Sequence, residues 1–138
     1  ELQAEMGLAL LFIAHDLAVV KHISHRIMVM YLGQVVEIGP ADALFAHPAH
    51  PYTRALLSSI PAMDPEHRTE KAAISGDPPN PINPPSGCRF HTRCPVAQQI
   101  CAQRAPVLGS LNSAHPVACL MYEPGSGYVQ PVAEQVTA

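Results

Sequence analysis

The chain has 138 residues, and its composition excludes several classes of protein. The length fits one domain of ordinary size or parts of two, and a hydrophobic share of 48% is enough for a packed core. The net charge of −3 argues against a basic surface that binds nucleic-acid phosphates. No apolar run approaches the roughly 20 residues of a transmembrane helix. Glu1 to Glu5 lack a Met and a signal pattern, so we expect a carboxy-terminal fragment of a longer protein.

The first predicted element is a short apolar run from Leu8 to Ile13. Because the run is apolar on both faces, it predicts a strand that is buried within a parallel sheet. His15 follows this strand and is therefore placed at its carboxyl end, where ligands bind in open α/β sheets. Asp16 is a candidate N-cap for a helix from Leu17 to about Ile23.

Two more strands and two more helices are predicted before residue 61. Strands at 26–31 and 34–38 are joined by a short link that contains glycine, which predicts an antiparallel hairpin. A short helix is expected at 41–46. Pro51 is well placed at the first position of an amphipathic helix that ends near Ile60.

The composition changes after the last of these helices, since seven prolines fall between Pro61 and Gly87. Prolines at this density exclude a helix interior or a central strand, so the segment predicts an extended and stiff arm. From Pro124 to Ala138 there is no strong periodic pattern, and a flexible tail is expected. The chain is thereby divided into 1–60, 61–87, 88–123 and 124–138.

All four cysteines lie beyond the proline-rich segment, with the spacing C-x5-C-x6-C-x17-C. They are Cys88, Cys94, Cys101 and Cys119. A small segment with little hydrophobic mass usually needs a staple, which disulfides, a metal ion or an iron–sulfur cluster can supply. The spacing lacks the short knuckles of four-thiolate zinc sites, and it leaves cluster, zinc and disulfides open as alternatives.

Arginine and histidine side chains near these cysteines are further candidates. Arg89 and Arg93 flank the first two cysteines, and cationic neighbours lower the pKa of a thiol, although single arginines are more often solvated. His91 and His115 could replace a cysteine as a ligand, but four cysteines already complete a set. His50, which precedes a proline at a helix start, is expected to be extended rather than to bind metal.

Several segments resemble one protein family. Leu10 to Val20 is similar to the switch-histidine segment of ABC-transporter ATPases, and Met28 to Glu37 resembles the hairpin that follows it. His50 to Leu57 and Pro81 to Cys88 are more specific, and they resemble the ATP-binding subunits of bacterial oligopeptide and dipeptide importers. Ala14 stands where that family usually has Thr or Ser.

The resemblance implies an α/β fold, the C-terminal part of an ABC-type nucleotide-binding domain (a P-loop NTPase), followed by a proline-rich arm and a small cysteine-rich lobe. It implies that His15 contacts the γ-phosphate of ATP, bound with Mg²⁺, in the intact subunit. The sequence contains no P-loop, glutamine loop, signature motif or Walker B strand, so we expect no ATP hydrolysis by this piece alone. The resemblance also implies a [4Fe-4S] cluster, with zinc as the substitute, on Cys88, Cys94, Cys101 and Cys119.

The function that the resemblance implies is ATP-driven import of dipeptides and oligopeptides across the bacterial inner membrane. The partners would be a second, homologous ATP-binding subunit and two transmembrane permease subunits, with a peptide-binding protein involved indirectly and no nucleic acid. The subunit would be peripheral, on the cytoplasmic face. Two alternatives stay open: a structural module held together by a cluster or zinc without catalytic activity, and a disulfide-bonded extracytoplasmic domain.

Overall fold

The computed structural model of the chain describes residues 5–15, 17–60, 74, 76–109 and 114–130. Within these residues it is a small α/β fold with one two-stranded sheet. In chain order the elements are α1 (Leu17–Ile23), β1 (Arg26–Tyr31), β2 (Gln34–Pro40), α2 (Ala41–Ala46), α3 (Pro51–Ser58), a 3₁₀ turn (His91–Arg93), α4 (Gln99–Gln103) and a second 3₁₀ turn (Leu120–Tyr122).

β1 and β2 form the antiparallel hairpin that the sequence predicts. Pairing runs from Arg26 opposite Pro40 to Tyr31 opposite Gln34. Gly33 in the connecting turn has a φ of +76°, a left-handed conformation that glycine adopts without a Cβ clash. The ladder extends two residues beyond the predicted end of β2, because the pairing of Arg26 continues the hairpin through Pro40.

The two faces of β1 differ in burial. Ile27, Val29 and Tyr31 are buried, whereas Met28 and Met30 on the opposite face are more than half exposed. This alternation is the pattern of a strand with one face on a core and one face in solvent. The core therefore lies on one side of the hairpin only.

The predicted helices are confirmed, with small differences at their ends. α1 and α2 have the predicted bounds. α3 begins at Pro51, where a missing N–H costs nothing, and it ends at Ser58 rather than near Ile60. His50 is extended, with a ψ of 135°, as expected for a residue before proline. The candidate N-cap Asp16 lies outside the described residues.

The prediction of a buried strand from Leu8 to Ile13 is wrong. The structure assigns neither strand nor helix to this run, and Leu11 and Ile13 are 92% and 97% exposed. A buried strand needs neighbouring strands for its backbone hydrogen bonds, and the sheet among the described residues consists of β1 and β2 alone. His15 therefore lies in an exposed bend rather than at the end of a strand.

The core lies against the hairpin and receives residues from distant parts of the chain. Its buried members are Ile27, Val29, Tyr31, Val36, Ala41, Leu44 and Phe90. Phe90 comes from the cysteine-containing segment (residues 88–123) and packs edge-on against Tyr31, with ring centroids 5.1 Å apart. Tyr52 of α3 completes the aromatic cluster, and its ring centroid lies 5.3 Å from that of Phe90.

The cysteine-containing segment also adds to the hairpin ladder. Val117 forms an antiparallel bridge to β2 and is completely buried. The N–H of Ile38 donates to the carbonyl of Pro116 at 3.0 Å, and the N–H of Ala118 donates to the carbonyl of Val36 at 2.8 Å. The segment thus shares backbone hydrogen bonds and an apolar core with the hairpin.

The proline-rich and C-terminal segments are described in part. Residues 76–87 contain turns and irregular backbone without helix or strand, as their prolines require, while 61–73 and 75 lie outside the described residues. In the expected flexible tail, residues 124–130 are hydrogen-bonded to the cysteine-containing segment, and 131–138 lie outside the described residues. Among the helices of the described ranges, none has the length and apolar character to cross a membrane.

Candidate functional site

All four cysteines line one small cavity, here called the thiol cavity. The first two flank the 3₁₀ turn His91–Arg93, the third lies in α4, and the fourth directly precedes the 3₁₀ turn Leu120–Tyr122. All four are free thiols. The structure therefore gathers in one place the side chains that the sequence named as candidate ligands, Cys88, Cys94, Cys101 and Cys119.

A close backbone approach holds Cys88 beside Cys101. The N–H of Cys88 donates to the carbonyl oxygen of Cys101 at 2.7 Å. Gly87 permits this contact, because a Cβ at its position would lie 2.4 Å from the same oxygen and because its φ of +67° favours glycine. Sequence reasoning missed Gly87, since only the folded chain brings the carbonyl of Cys101 against it.

Burial raises the pKa of the thiols in the cavity. The pKa values of Cys94 and Cys119 are raised to about 11, chiefly by burial and further by the neighbouring cysteines. Burial also raises the pKa of Cys88. These three groups are protonated at neutral pH when nothing is bound, so a metal or cluster that takes them as thiolates releases protons.

Backbone N–H groups in the same site favour thiolates. At three of the four cysteines, the N–H two residues further along the chain lowers the pKa of the thiol, against the larger effect of burial. These donors belong to Phe90, Val96 and Met121. Hydrogen bonds to sulfur stabilise thiolate ligands and tune the groups that they hold. The site therefore contains donors that can stabilise a thiolate, while burial keeps the unbound thiols neutral.

The free space between the thiols is small. The cavity has a volume of about 20 Å³, which is close to what one water molecule requires. Within the described ranges, no group of three or more His, Cys, Asp or Glu side chains is placed to hold a single metal ion.

The two arginines that the sequence placed beside the thiolates reach the hairpin instead. The Nη1 of Arg89 donates to the carbonyl oxygen of Leu32 in the hairpin turn. The Nη1 of Arg93 lies 3.5 Å from the hydroxyl of Tyr31. These contacts tie the cysteine-containing segment to the hairpin.

A buried carboxylate, Glu37 of β2, joins three parts of the chain. It is completely buried and accepts hydrogen bonds from the N–H of Ala49 at 2.8 Å and of His50 at 2.9 Å. The Nε2 of His115 lies 2.6 Å from its Oε1, so His115 is engaged by Glu37. Sequence reasoning missed Glu37, because a Glu within a strand is typical of the solvent face and its partners lie far along the chain.

His50 belongs both to the hydrogen-bond network of Glu37 and to the lining of the thiol cavity. Its Nδ1 accepts a hydrogen bond from the N–H of Tyr52 at 3.0 Å and so caps α3. Burial lowers the pKa of His50 to about 4. Glu37 raises this pKa and Arg54 lowers it, both by less than burial does, so the ring is neutral at neutral pH. The residue also lines the thiol cavity. Its extended backbone at the helix start agrees with the prediction for a residue before proline.

Tyr128 also lines the thiol cavity, and sequence reasoning missed it because it falls in the expected flexible tail. His15, in contrast, is absent from the lining of the thiol cavity and lies in an exposed bend. The structure therefore does not bring the two candidate sites together. The contact of His15 with a γ-phosphate stays a prediction.

Comparisons with known proteins bear on both sites. Residues 36–101 match the family described as the oligopeptide/dipeptide transporter, C-terminal region. The oligopeptide transport ATP-binding proteins OppF of Salmonella typhimurium and of Escherichia coli are each 56% identical over 127 residues, which is 90% of this chain and 37% of the relative. A probable peptide ABC transporter ATP-binding protein, y4tS of Sinorhizobium fredii, is 48% identical over 134 residues, or 96% of this chain and 38% of the relative.

The matches extend beyond the cysteines. The family match begins in β2 and ends at Cys101, so it includes α2, α3 and the first three cysteines. The chain spans 37% to 38% of the length of these relatives. The family resemblance found in the sequence is confirmed: the chain is similar to ATP-binding subunits of peptide importers, and its residues 36–101 match the oligopeptide/dipeptide transporter C-terminal region.

Proposed function

We propose that the chain is the C-terminal portion of an ATP-binding subunit that powers import of dipeptides and oligopeptides across the bacterial inner membrane. The observation that carries the proposal is the 56% identity to OppF over 127 residues. Since the similarity covers 90% of the chain, it includes more than the cysteine-containing segment. This favours an importer subunit over an isolated module that is stapled by a metal or cluster.

The proposed organisation follows the divisions of the sequence. Residues 1–60 are the C-terminal part of an ABC ATPase domain, 61–87 a proline-rich linker, and 88–123 a four-cysteine lobe. The contacts of the lobe with β2 and with the aromatic cluster support a lobe that docks on the ATPase part. The hydrogen bonds of residues 124–130 support extension of this lobe by the first part of the tail.

The proposed partners belong to the whole importer. They are a second, homologous ATP-binding subunit and two transmembrane permease subunits, with a peptide-binding protein that acts indirectly. The intact subunit would lie on the cytoplasmic face of the inner membrane as a peripheral protein. The names of the relatives, which describe ATP-binding proteins of peptide transport, support this assignment.

His15 is proposed to contact the γ-phosphate of ATP and to help position the attacking water. The nucleotide and its Mg²⁺ would be held by other parts of the intact subunit. The exposure of His15 supports the proposal, because an exposed imidazole is accessible to a nucleotide that is bound elsewhere. Imidazole suits the role, since it can donate or accept a hydrogen bond near neutral pH.

The test is ATP hydrolysis by the full-length subunit assembled with its partners. Replacement His15→Ala should reduce hydrolysis by roughly a hundredfold or more, the usual contribution of a positioned group of this kind. His22→Ala, at an exposed histidine of α1, is the matched control and should leave hydrolysis unchanged. Normal hydrolysis by His15→Ala would remove His15 from the proposal. Failure of the wild-type assembly to take up peptide with ATP would overturn the importer function.

The four cysteines are proposed to hold a [4Fe-4S] cluster that staples the lobe. The support is that four free thiols line one cavity and that backbone N–H groups favour the thiolate at three of them. The test is anaerobic purification followed by iron, zinc and acid-labile sulfide analysis with a visible spectrum. Equal amounts of iron and sulfide, lost in Cys101→Ser, are expected. Zinc alone, or no metal with paired disulfides, would contradict the cluster.

A further inference from the structure

The chain that follows the fourth cysteine folds back over the thiol cavity. Tyr128 lines the cavity, and its hydroxyl donates to the carbonyl oxygen of Val96 at 2.8 Å. Val96 lies between the second and third cysteines and lines the same cavity. The ring of Tyr128 is therefore anchored at its far end to the opposite part of the site.

Contacts on both sides of Tyr128 hold the segment 124–130 in this position. Val129 makes two hydrogen bonds with the side chain of Gln98: its N–H donates to Oε1 at 3.0 Å, and Nε2 donates to its carbonyl at 2.7 Å. The hydroxyl of Ser126, a buried residue, donates to a backbone carbonyl at 2.7 Å and accepts from the N–H of Tyr128 at 3.1 Å. The position of the ring is thus fixed by tertiary contacts.

The chemistry of tyrosine suits this position. Much of the lining is apolar, with Phe90, Val96, Leu120 and Met121 among its members. A tyrosine can place its ring against such a wall while its hydroxyl reaches a polar partner at the edge. Truncation to alanine would remove the ring and leave an opening beside the thiols, whereas phenylalanine would keep the ring and lose only the hydrogen bond.

We infer that Tyr128 closes the thiol site, so that its ring limits the access of water and small electrophiles to the four cysteines. The inference rests on the cysteine site of the proposed function, but it concerns the thiols themselves and holds with or without a cluster. In a loaded protein, the same ring would exclude solvent from the thiolate-bound group, and solvent access is one of the factors that tune such groups.

The test is the rate at which iodoacetamide alkylates each cysteine, followed by mass spectrometry of peptides. It uses the 138-residue chain, kept anaerobic, reduced and free of metal, at a temperature below unfolding. The variants are Tyr128→Ala, Tyr128→Phe and Gln98→Ala, which frees the segment without changing a lining residue. Tyr122→Ala is the matched control, since its hydroxyl bonds to Ala49 and Arg54 outside the thiol cavity.

The expected result is a graded opening of the site. Tyr128→Ala should raise the alkylation rate of the cavity cysteines by about tenfold or more. Without the ring, iodoacetamide can reach the thiols without waiting for the segment 124–130 to open. Tyr128→Phe should restore slow alkylation, Gln98→Ala should accelerate it by a smaller factor, and Tyr122→Ala should leave it unchanged. Melting curves of every variant establish that the chain is folded.

Two results would overturn the inference. One is a folded Tyr128→Ala protein whose cysteines react no faster than those of the wild type. The other is an equal acceleration in Tyr128→Ala and Tyr122→Ala, which would indicate a general loosening of the fold. If Tyr128→Ala does not fold, Gln98→Ala takes its place. Cysteines that react no faster in a folded Gln98→Ala protein than in the wild type would then overturn the inference. Iron content plays no part in this test, so a chain without a cluster would contradict the proposed function and leave the closing role of Tyr128 standing.

Discussion

Two apolar parts of this chain, the run from Leu8 to Ile13 and the residues around the hairpin, differ completely in burial. In the first, Leu11 and Ile13 are almost fully exposed. In the second, Phe90 and Val117 are almost fully buried. Both parts contain large aliphatic or aromatic side chains, so composition does not separate them. The difference is that the second part has partners among the described residues.

The comparison shows that Phe90 and Val117 are buried by partners that lie far from them along the chain. Phe90 packs against rings of β1 and α3, and Val117 bridges to β2. Through Phe90 and Val117, the cysteine-containing segment shares a core with the hairpin. The same docking gathers the four thiols around one cavity.

The largest predicted effect comes from removing the side chain of Phe90. Phe90→Ala should lower the free energy of unfolding by about 3–5 kcal/mol, because it leaves a cavity between β1, α3 and the cysteine-containing segment. Ile13→Ala, at an exposed position, should change it by less than about 0.5 kcal/mol. Urea unfolding followed by circular dichroism measures both. Equal effects at the two positions would contradict the contrast between the two parts of the chain.

Acid should destabilise the buried part through His50. The pKa of His50 is lowered from 6.5 to about 4 by burial, so the unfolded chain binds a proton that the folded chain does not take up. The neutral His50 ring therefore contributes to the free energy of unfolding in full above pH 6.5. This contribution, about 3 kcal/mol in total, is lost as the pH falls from 6.5 toward 4. His50→Asn keeps an N-cap but cannot titrate, and unfolding curves against pH should show a weaker acid dependence. Parallel curves for the two proteins would contradict this role.

A methyl group at Gly87 should disturb the docked segment. Gly87→Ala places a Cβ 2.4 Å from the carbonyl of Cys101 at a positive φ, which should cost about 2–3 kcal/mol in unfolding free energy. Gly125→Ala is the matched control, because Gly125 also has a positive φ but nothing within 4 Å of the added Cβ. Its cost should be about 1 kcal/mol, from backbone conformation alone. The difference between the two variants measures the close approach, and no difference would refute it.

The smallest predicted effect concerns the carboxylate of Glu37. Glu37→Gln keeps the size of the side chain but turns an NH₂ group toward donors, so at least one buried N–H loses its acceptor. The expected loss is about 2 kcal/mol of unfolding free energy. Asp42→Asn, at an exposed position of α2, is the control and should have little effect. A Glu37→Gln protein as stable as wild type would mean that the buried contacts of Glu37 contribute little.

The elements that the sequence predicts correctly are specified by local signals. Two strand candidates joined by a short link that contains Gly33 predict the hairpin. Pro51 at the first position predicts α3. The irregular register between Val29 and Met30 has no local signal that we can identify, and it was not predicted.

The elements that the sequence does not predict depend on distant partners. Leu8 to Ile13 has the composition of a buried strand, but the hydrogen bonds of a strand require neighbours that composition cannot supply. The burial of Glu37 depends on backbone N–H groups beyond α2, and Tyr128 reaches the thiol cavity only through contacts with Gln98 and Val96. The cysteines themselves were predicted as one site, because four such residues in a short segment are informative without knowledge of the fold.

Hydrogen exchange of individual backbone amides tests most directly whether the cysteine-containing segment and the hairpin share one core. The N–H of Ala118 bonds to β2 and the N–H of Cys88 bonds to Cys101. Both should exchange with the same opening free energy as the amides of the β1–β2 ladder, while residues 8–13 exchange with almost no protection. Fast exchange at Ala118 and Cys88 beside a protected hairpin would contradict a shared core and would indicate a separately folded lobe.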